Sequence, residues 1–228
     1  MVLLTTAYFP PIEYLAAIAN ECRFNPGMTV VEPAVVYIEA CEHYVKQSWR
    51  NRCRFYAADG AQTLNFPVRH EDFGKPISQM RIDWKTDWLT RHERAIISAY
   101  RTSPYFEYYQ DELFAILDSR PELMLDFNTQ ILKFFLRKTG IPADIRFTSE
   151  WEAVTIEGHK ATDLREAIHP KRPNTILKDL GLERPYWQVF SPKYGFIPGL
   201  SIMDLLFNEG PDSICYLVNV ILTYNNTL

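Results

Sequence analysis

The sequence predicts a mixed α/β protein, with an N-terminal β-α-β-like unit and a β-hairpin followed by a mostly helical C-terminal half. Three observations support this. Two apolar runs flank a helix-like segment within the first forty residues, alternating apolar and polar residues surround Asp59-Gly60, and apolar residues recur at helical spacing beyond Asp87. Because no internal repeat and no Gly/Ser linker interrupts the chain, we expect one domain over residues 1–228.

The β-α-β-like unit occupies the start of the chain. Residues 3–6 are predicted as a short strand, and residues 12–20 as a helix that Pro11 opens. Residues 35–38 are a continuous β-branched and aromatic run, which is typical of a buried strand. Periodicity does not decide whether the two strands pair in parallel or antiparallel order.

A hairpin and two helices are predicted next. Residues 53–57 and 64–68 alternate between apolar and polar types, with Asp59-Gly60 as the turn. Asp87 is expected to cap a helix whose buried stripe includes Leu89, Ile96, Ile97 and Tyr100. Residues 121–138 have a second apolar stripe and are predicted as a helix. The aromatic cluster at residues 103–109 fits either a stacking wall or core packing.

The remainder is predicted as a strand, an irregular segment and short helices. Residues 145–148 favour a strand, and the proline-rich residues 150–198 favour irregular structure. Ser201 and Asp204 have the spacing of a capping box at the start of a helix. Residues 213–222 are apolar nearly all round, so we expect a buried helix there.

Composition and charge limit the function classes. The net charge of −4 argues against nucleic-acid binding, and no apolar run is long enough for membrane insertion. The N-terminus does not have the pattern of a signal peptide. The four cysteines form no CxxC pair, which indicates buried, reduced thiols in a cytoplasmic protein and no metal site.

The loop between the first strand and the first helix is one candidate site. In a β-α-β unit this loop lies at the carboxyl end of the strand, beside free N–H groups at a helix N-terminus that attract anions. Tyr8, Glu13 and Tyr14 would surround the ligand. Alternatively, the prolines shape a rigid turn and the tyrosines pack, because no glycine fingerprint is present.

A basic, amide-rich stretch after the second strand is the main candidate. Guanidinium groups bind phosphate or carboxylate in two-point fashion, amides can hold sugar hydroxyls, and a histidine can move a proton near neutral pH. The alternative is a connector whose charges face water. The stretch provides His43 as a proton-transfer candidate, Lys46, Gln47, Arg50, Asn51 and Arg52 as ligand-binding candidates, and Trp49 and Arg54 beside them.

Further candidates lie outside these two segments. His92, one turn after Trp88, is either a proton-transfer group or a packing residue. Asn208 and Glu209 have no predicted structural role, so they are added as ligand-binding candidates. His169 lies in the irregular segment and indicates little by itself.

Taken together, these segments resemble the WbqC-like protein family, in the form found in Bacteroidetes. The family commonly has Gln-Pro where this chain has Thr6-Ala7, so a role that depends on that glutamine does not transfer. The resemblance implies an association with bacterial surface-polysaccharide (O-antigen) biosynthesis and no particular reaction. The matching blocks are residues 7–11 with Tyr14, residues 43–52, Trp88, His92, residues 98–100, 103–109, 126–128 and 186–190, Gly195, Phe196 and Pro198, and residues 203–211.

The leading hypothesis is a cytoplasmic transferase-type enzyme that acts on an anionic small molecule, either a sugar nucleotide or a sugar phosphate. The cations of the basic stretch would hold the anion, Tyr8 and Tyr14 would line the pocket, and His43 or His92 would move a proton. One alternative is a non-catalytic binding or scaffold module with an exposed aromatic patch. Another is an amino-acid or acyl transferase with Cys41 or Cys53 as nucleophile. The sequence does not determine whether a cofactor is bound or which oligomeric state the protein adopts.

Overall fold

The structure is a computed structural model that describes residues 1–24, 30–151, 155–156 and 159–219. The elements of the N-terminal half, in chain order, are β1 (Val2–Thr5), α1 (Ile12–Ala19), β2 (Arg23–Phe24), β3 (Val30–Glu32), β4 (Ala34–Glu39), β5 (Arg52–Ala57), β6 (Gly60–Asn65) and α2 (Trp88–Tyr100). Those that follow are α3 (Phe106–Asp118), α4 (Met124–Lys138), β7 (Ala143–Phe147), β8 (Thr155–Ile156), β9 (His159–Lys160), β10 (Thr162–Asp163), α5 (Ile176–Asp179), α6 (Ser191–Tyr194), α7 (Ile202–Glu209) and α8 (Ser213–Leu217).

A parallel sheet of four strands, in the order β10-β1-β4-β7, lies at the centre of the described part of the chain. β1 pairs with β4 from Val2 opposite Val36 to Thr5 opposite Glu39. Every residue of β1 is buried, as expected for a strand covered on both faces. The predicted β-α-β-like unit is therefore confirmed, and the parallel pairing that periodicity left open is resolved.

The predicted hairpin is also confirmed, although its second strand is Gly60–Asn65 and not residues 64–68. β5 and β6 pair antiparallel from Arg52 opposite Asn65 to Ala57 opposite Gly60. Cys53 and Phe55 are buried, whereas Arg54 between them is exposed. The alternation of side chains along a strand therefore directs Arg54 away from the core.

The helical regions differ from the prediction in four details. Asp87 precedes α2, but its side chain accepts no capping hydrogen bond, so its predicted capping role is wrong. Ile97 is 38% exposed, so its place in the buried stripe of α2 is wrong, because it lies about 100° around the helix from buried Ile96. The aromatic cluster at residues 103–109 leads into α3, which the pattern did not indicate. The second predicted helix is confirmed as α4, although it begins at Met124.

The C-terminal elements confirm one helix start and correct two expectations. The Ser201 hydroxyl accepts a hydrogen bond from the Met203 N–H (3.3 Å), which caps α7. The predicted helix over residues 213–222 ends at Leu217, and residues 220–222 lie outside the described residues. The thiols are not uniformly buried, because Cys215 is exposed and Cys41 is half-buried, while Cys22 and Cys53 are buried.

Aromatic side chains form much of the core. The Tyr8 ring meets Phe66 edge-on at 4.8 Å and lies stacked 5.9 Å from Phe127, and Phe66 lies 5.4 Å from Trp88. Such contacts add to the stabilisation that burial of the rings provides. No helix in the described residues is long and apolar enough to span a bilayer. The same residues contain no cluster of three or more His, Cys, Asp or Glu side chains suited to a metal ion.

Candidate functional site

A cavity of about 790 Å³ opens where the first turn of α1, strand β5 and the irregular segment at residues 168–199 meet. Its volume lies in the range that small-molecule sites occupy. The first turn of α1 follows the loop at the carboxyl end of β1, which is where ligands bind in open parallel sheets. Position, size and shape therefore make this cavity the candidate site.

Three backbone hydrogen bonds hold the walls of the cavity together. The Ile12 N–H donates to the Leu200 carbonyl (3.0 Å), and the Ile202 N–H donates to the Pro10 carbonyl (2.8 Å). The Ser201 N–H donates to the carbonyl of Arg54 in β5 (2.7 Å). The N–H of Ile12 has no partner within its own helix turn, so the strand-like Leu200 segment satisfies it. Residues far apart in sequence thus become fixed neighbours.

Glu13, in the first turn of α1, places a carboxylate in this cavity. Its Oε2 atom is buried and has no hydrogen-bond partner within the described part of the chain. Burial raises the pKa of Glu13, and the positive charge of Arg54 opposes that rise only in part. A buried carboxyl with a raised pKa and an unused oxygen is suited to accept or donate a proton.

Gly199 allows the chain to pass close to that carboxylate. Its φ is +65°, and a Cβ atom built at this position would lie 3.1 Å from Glu13 Oε1. A side chain here would therefore strain the backbone and press on the carboxylate at the same time. The glycine keeps the space around Glu13 open.

The other charged residues that line the cavity are mostly basic. Arg172 pairs with Glu166 at 3.1 Å, but both side chains are well exposed, so that ion pair is weak. The Lys171 ammonium contacts the side-chain oxygen of Gln47. The cationic lining comprises Arg54, Lys171, Arg172, Lys178 and Arg184, against the carboxylates of Glu13 and Glu183, and His169 lies among them. This excess of cations in a net acidic chain favours an anionic ligand.

Aromatic side chains form a further wall. Tyr186 meets Phe196 edge-on at 5.3 Å and Tyr216 at 5.9 Å, and all three line the cavity. The Arg184 guanidinium lies 4.7 Å above the Tyr216 ring. Trp49, at the end of the basic stretch, also lines the cavity. Flat faces of this kind can stack on a sugar ring or a nucleotide base.

Tyr8, Tyr14 and His92 lie in the core rather than on the cavity wall. The Tyr8 hydroxyl and His92 Nδ1 form a buried hydrogen bond of 2.9 Å, and the Tyr14 hydroxyl donates to the Thr5 carbonyl (2.8 Å). Burial lowers the pKa of His92 to about 4, so the ring is neutral at pH 7. The packing alternative fits all three residues, because their polar atoms are used within the protein.

Arg50 is held by an ion pair instead of facing a ligand. Its Nε donates to Glu42 Oε1 at 2.8 Å, and both side chains are almost fully buried. Lys46 is exposed, with its ammonium 4.6 Å from the centre of the Phe73 ring. Neither cation lines the cavity, because Arg50 is directed to Glu42 and Lys46 to the Phe73 ring.

Most of the other residues of the basic stretch also lie outside the cavity. His43 is exposed outside the cavity, and the Asn51 amide donates to the Phe66 carbonyl (2.7 Å). Arg52 is half-buried, and its Nε has no hydrogen-bond partner among the described residues. Gln47 reaches the site only through its contact with Lys171. From this stretch, the cavity thus receives Trp49 and the neighbouring Arg54.

Asn208 and Glu209 have structural roles that the pattern did not indicate. The Asn208 amide donates to the Asp204 carbonyl one turn earlier in α7 (2.8 Å). Glu209 Oε1 accepts from the Trp187 N–H (2.9 Å). Neither residue lines the cavity, although Glu209 holds the chain that leads into its aromatic wall.

The two cysteines considered as nucleophiles also lie outside the cavity. Cys53 is fully buried, and burial raises the pKa of its thiol, which disfavours the reactive thiolate. Cys41 is half-buried and directs its sulfur to the Thr148 carbonyl at 3.7 Å. No contact of either thiol favours the cysteine-dependent alternative.

The cavity residues that sequence reasoning missed come from the irregular segment: Lys171, Arg172, Lys178, Arg184 and Tyr186. Their signal was weak, since basic residues scattered among prolines have no period to follow. The one usable clue was composition, because residues 169–172 read His-Pro-Lys-Arg in a chain that is acidic overall.

The fold and the cavity together define an α/β protein with a basic cavity beside the helix that follows its first strand. Residues 6–216 match the WbqC-like protein family, so the chain belongs to that family. It is also similar to an uncharacterized protein of Mycobacterium tuberculosis, with 26% identity over 211 aligned residues that cover 82% of this chain and 88% of that protein. No solved structure matches the chain.

Proposed function

We propose that this protein is a transferase-type enzyme that binds a sugar nucleotide or sugar phosphate in the cavity, with Glu13 as its proton-transfer residue. The observation that carries the proposal is the buried Oε2 atom of Glu13, which has no hydrogen-bond partner among the described residues and lies beside Arg54 in a predominantly basic cavity. The cations neutralise phosphate, and their excess over carboxylates explains why an anion enters an acidic protein. This moves the proposed site from His43 and the tyrosines to Glu13.

The proposed reaction transfers the sugar to an acceptor hydroxyl. The acceptor oxygen forms a bond to the anomeric carbon, and the bond from that carbon to the phosphate oxygen breaks. The phosphate leaves with the electron pair, where Arg54 and Lys171 stabilise its charge. Glu13 takes the acceptor proton, and its raised pKa brings the carboxylate closer to the basicity that proton transfer requires near neutral pH.

We further propose a cytoplasmic role in surface-polysaccharide (O-antigen) biosynthesis. The resemblance to the WbqC-like family implies this pathway, and family membership supports it. Activated sugars carry phosphate, so the basic cavity is compatible with such a substrate.

The test combines binding with turnover. UDP-glucose, glucose 1-phosphate and inorganic phosphate are added to the wild-type protein and to Glu13→Gln, and the melting temperature is followed. At about one hundred times Kd, a ligand adds about 2.7 kcal/mol to stability and so raises the melting temperature by several degrees. Product formation from the ligand that binds is then measured by mass spectrometry with sugar acceptors.

Glu183→Gln is the matched control, because Glu183 lines the same cavity but is exposed. We expect Glu13→Gln to bind ligand and to lose at least about a hundredfold in turnover, whereas Glu183→Gln keeps its turnover. If none of the three probes stabilises the wild-type protein, the proposed ligand class is wrong. If Glu13→Gln turns over like the wild type, the proposed role of Glu13 is wrong.

A second candidate function is a non-catalytic carbohydrate-binding module of the same pathway. It is favoured by exposed aromatic side chains near the cavity wall, since Trp187 is 48%, Tyr194 42% and Phe196 38% exposed. Such side chains bind sugars by stacking without any reaction. Stabilisation by a sugar nucleotide that is recovered intact with every acceptor would favour this function over the transferase.

A further inference from the structure

Asp204 is a buried carboxylate on the side of α7 that faces the cavity wall. Only 1% of it is exposed, and its oxygens accept three hydrogen bonds. The donors are the Tyr100 hydroxyl (2.9 Å), the Tyr186 hydroxyl (2.6 Å) and the Gln188 amide (3.0 Å). The spacing suggested a capping role, but Ser201 caps the helix alone, so the Asp204 carboxylate has another use.

One of the three donors, Tyr186, belongs to the wall of the cavity, and a second, Gln188, holds the chain that leads towards Gly199. The Tyr186 ring lines the cavity, and its hydroxyl is directed back to Asp204. The Gln188 amide holds Ile197 on both sides, because its nitrogen donates to the Ile197 carbonyl (2.9 Å) and its oxygen accepts from the Ile197 N–H (2.9 Å). Asp204 therefore holds both ends of a loop from residue 186 to residue 197.

That loop leads directly into the residues beside Glu13. Gly199, two residues after Ile197, passes so close to Glu13 that a Cβ atom built on it would lie 3.1 Å from Glu13 Oε1. The loop is otherwise irregular, with α6 as its single short helix. Its position therefore depends on side-chain hydrogen bonds more than on backbone ladders.

We propose that Asp204 is the positioning residue of the site: it fixes the Tyr186 wall and, through Gln188, the approach of Gly199 to Glu13. The inference rests on the proposed function of the cavity, because its consequence is ligand binding. Asp204 does not line the cavity and acts only through its partners. Three donors on one carboxylate also offset the cost of burying its charge.

The test compares two tyrosines that both donate to Asp204 but differ in whether they line the cavity. Tyr186→Phe and Tyr100→Phe each remove one hydroxyl from Asp204, but only Tyr186 belongs to the cavity wall. We expect Tyr186→Phe to weaken UDP-glucose binding by about tenfold and to speed hydrogen exchange at the Ile197 amide. Tyr100→Phe, the matched control, should leave both within about twofold of the wild type.

Asp204→Asn completes the experiment. It preserves the size of the side chain but replaces one of the two accepting oxygens with an N–H₂ group, so the side chain can no longer accept all three hydrogen bonds. We expect faster exchange at Ile197 and a weaker Kd, without loss of the folded state. Wild-type Kd and wild-type exchange in both Tyr186→Phe and Asp204→Asn would overturn the proposal.

The two proposals fail in different ways. If UDP-glucose does not bind the wild-type protein, but exchange at Ile197 rises in Asp204→Asn, the proposed function fails and the wall-positioning role of Asp204 stands. If UDP-glucose binds the wild-type protein and exchange rises while Kd stays unchanged, the proposed function stands. In that case Asp204 does not position the site.

Discussion

Two regions of this protein combine basic and aromatic residues, yet they use them in opposite ways. In the connector between β4 and β5, Arg50 is buried against Glu42 and Lys46 lies over the Phe73 ring. In the irregular segment at residues 168–199, the cationic side chains lie around an open cavity, and Arg172 has only a weak, exposed partner. One region uses charge for folding, and the other leaves it available to a ligand.

The difference shows that burial decides what a cation can do. A guanidinium that has lost its water needs a carboxylate of its own, and that carboxylate prevents it from binding a substrate. An exposed cation at a cavity wall keeps its water and can exchange it for a phosphate. Substitutions in each of the two regions test this contrast.

Glu42→Gln is expected to have the largest effect, because it leaves Arg50 buried without a countercharge. We expect a loss of about 3–5 kcal/mol in the free energy of unfolding, measured by urea denaturation. Glu32→Gln is the control, since the Arg23–Glu32 pair is 60% exposed on both sides and should contribute less than about 1 kcal/mol. A loss below 1 kcal/mol in Glu42→Gln would show that the connector does not depend on this ion pair.

The buried carboxyl group of Asp204, which holds the wall of the cavity, should make the stability of the protein depend on pH. Burial raises its pKa from 3.8 to about 6, against the opposing hydrogen bonds from Tyr186, Tyr100 and Gln188. The folded protein therefore holds this proton more tightly than the unfolded chain does. This contribution to stability is fully present below about pH 4 and is lost as the pH rises through 6, a change of about 3 kcal/mol.

The measurement compares the wild-type protein with Asp204→Asn by urea denaturation at pH 4.5 and pH 7.5. The stability of the wild type relative to the variant should be higher at the lower pH, because the variant lacks this titration. The titratable groups around the carboxyl are Tyr100 from α2, Tyr186 from the loop and, at longer range, Tyr56 from β5, and tyrosines do not titrate in this window. A difference that is equal at both pH values would contradict the raised pKa.

Arg54→Ala and Lys46→Ala compare the two regions directly. Both remove one exposed cation, but only Arg54 lines the cavity. We expect Arg54→Ala to weaken binding of UDP-glucose or glucose 1-phosphate by about tenfold, as calorimetry would measure. Lys46→Ala should bind within about twofold of the wild type. The reverse order would return the ligand site to the connector.

Gly199→Ala is expected to have the smallest effect on stability. The φ of +65° disfavours any side chain, so the variant should lose about 1 kcal/mol in the free energy of unfolding. Gly140→Ala is the matched control, because Gly140 has a φ of +73° and open space around its Cβ position. Both variants should lose a similar amount of stability. Only Gly199→Ala, whose added methyl group presses on Glu13, should lower the affinity for the ligand. Equal ligand affinity in both variants would show that the approach to Glu13 is unimportant.

Local patterns were sufficient for most of the fold. Periodicity located β1, α1, β4, the hairpin and α4, because each of these elements buries one continuous face or both faces. Ile97 was misplaced because it stands next to a buried residue in the sequence, and α3 was missed because its aromatic start resembled a cluster in a loop. The parallel pairing depended on contacts between distant strands, which no local pattern contains.

The candidate site was predictable only in part. Glu13, Trp49 and Arg54 were all within segments singled out beforehand, and they line the cavity. Arg50 and His92 had equally suggestive chemistry, but their partners Glu42 and Tyr8 occupy them. Side-chain type indicates what a residue can do, whereas its neighbours decide whether that capacity is available.

Local sequence patterns were enough to predict the α/β class, the positions of the strongest helices and strands, the cap of α7 and the kinship with WbqC-like proteins. These depend on local spacing and residue type, which hydrophobic burial translates directly into structure. Which cations remain open to a ligand, and which carboxylate lies beside them, depends on contacts that form when the chain folds. That choice arises because Glu13, Arg54 and the segment at residues 168–199 meet only after the chain has folded, and burial then pairs some charges and leaves others available.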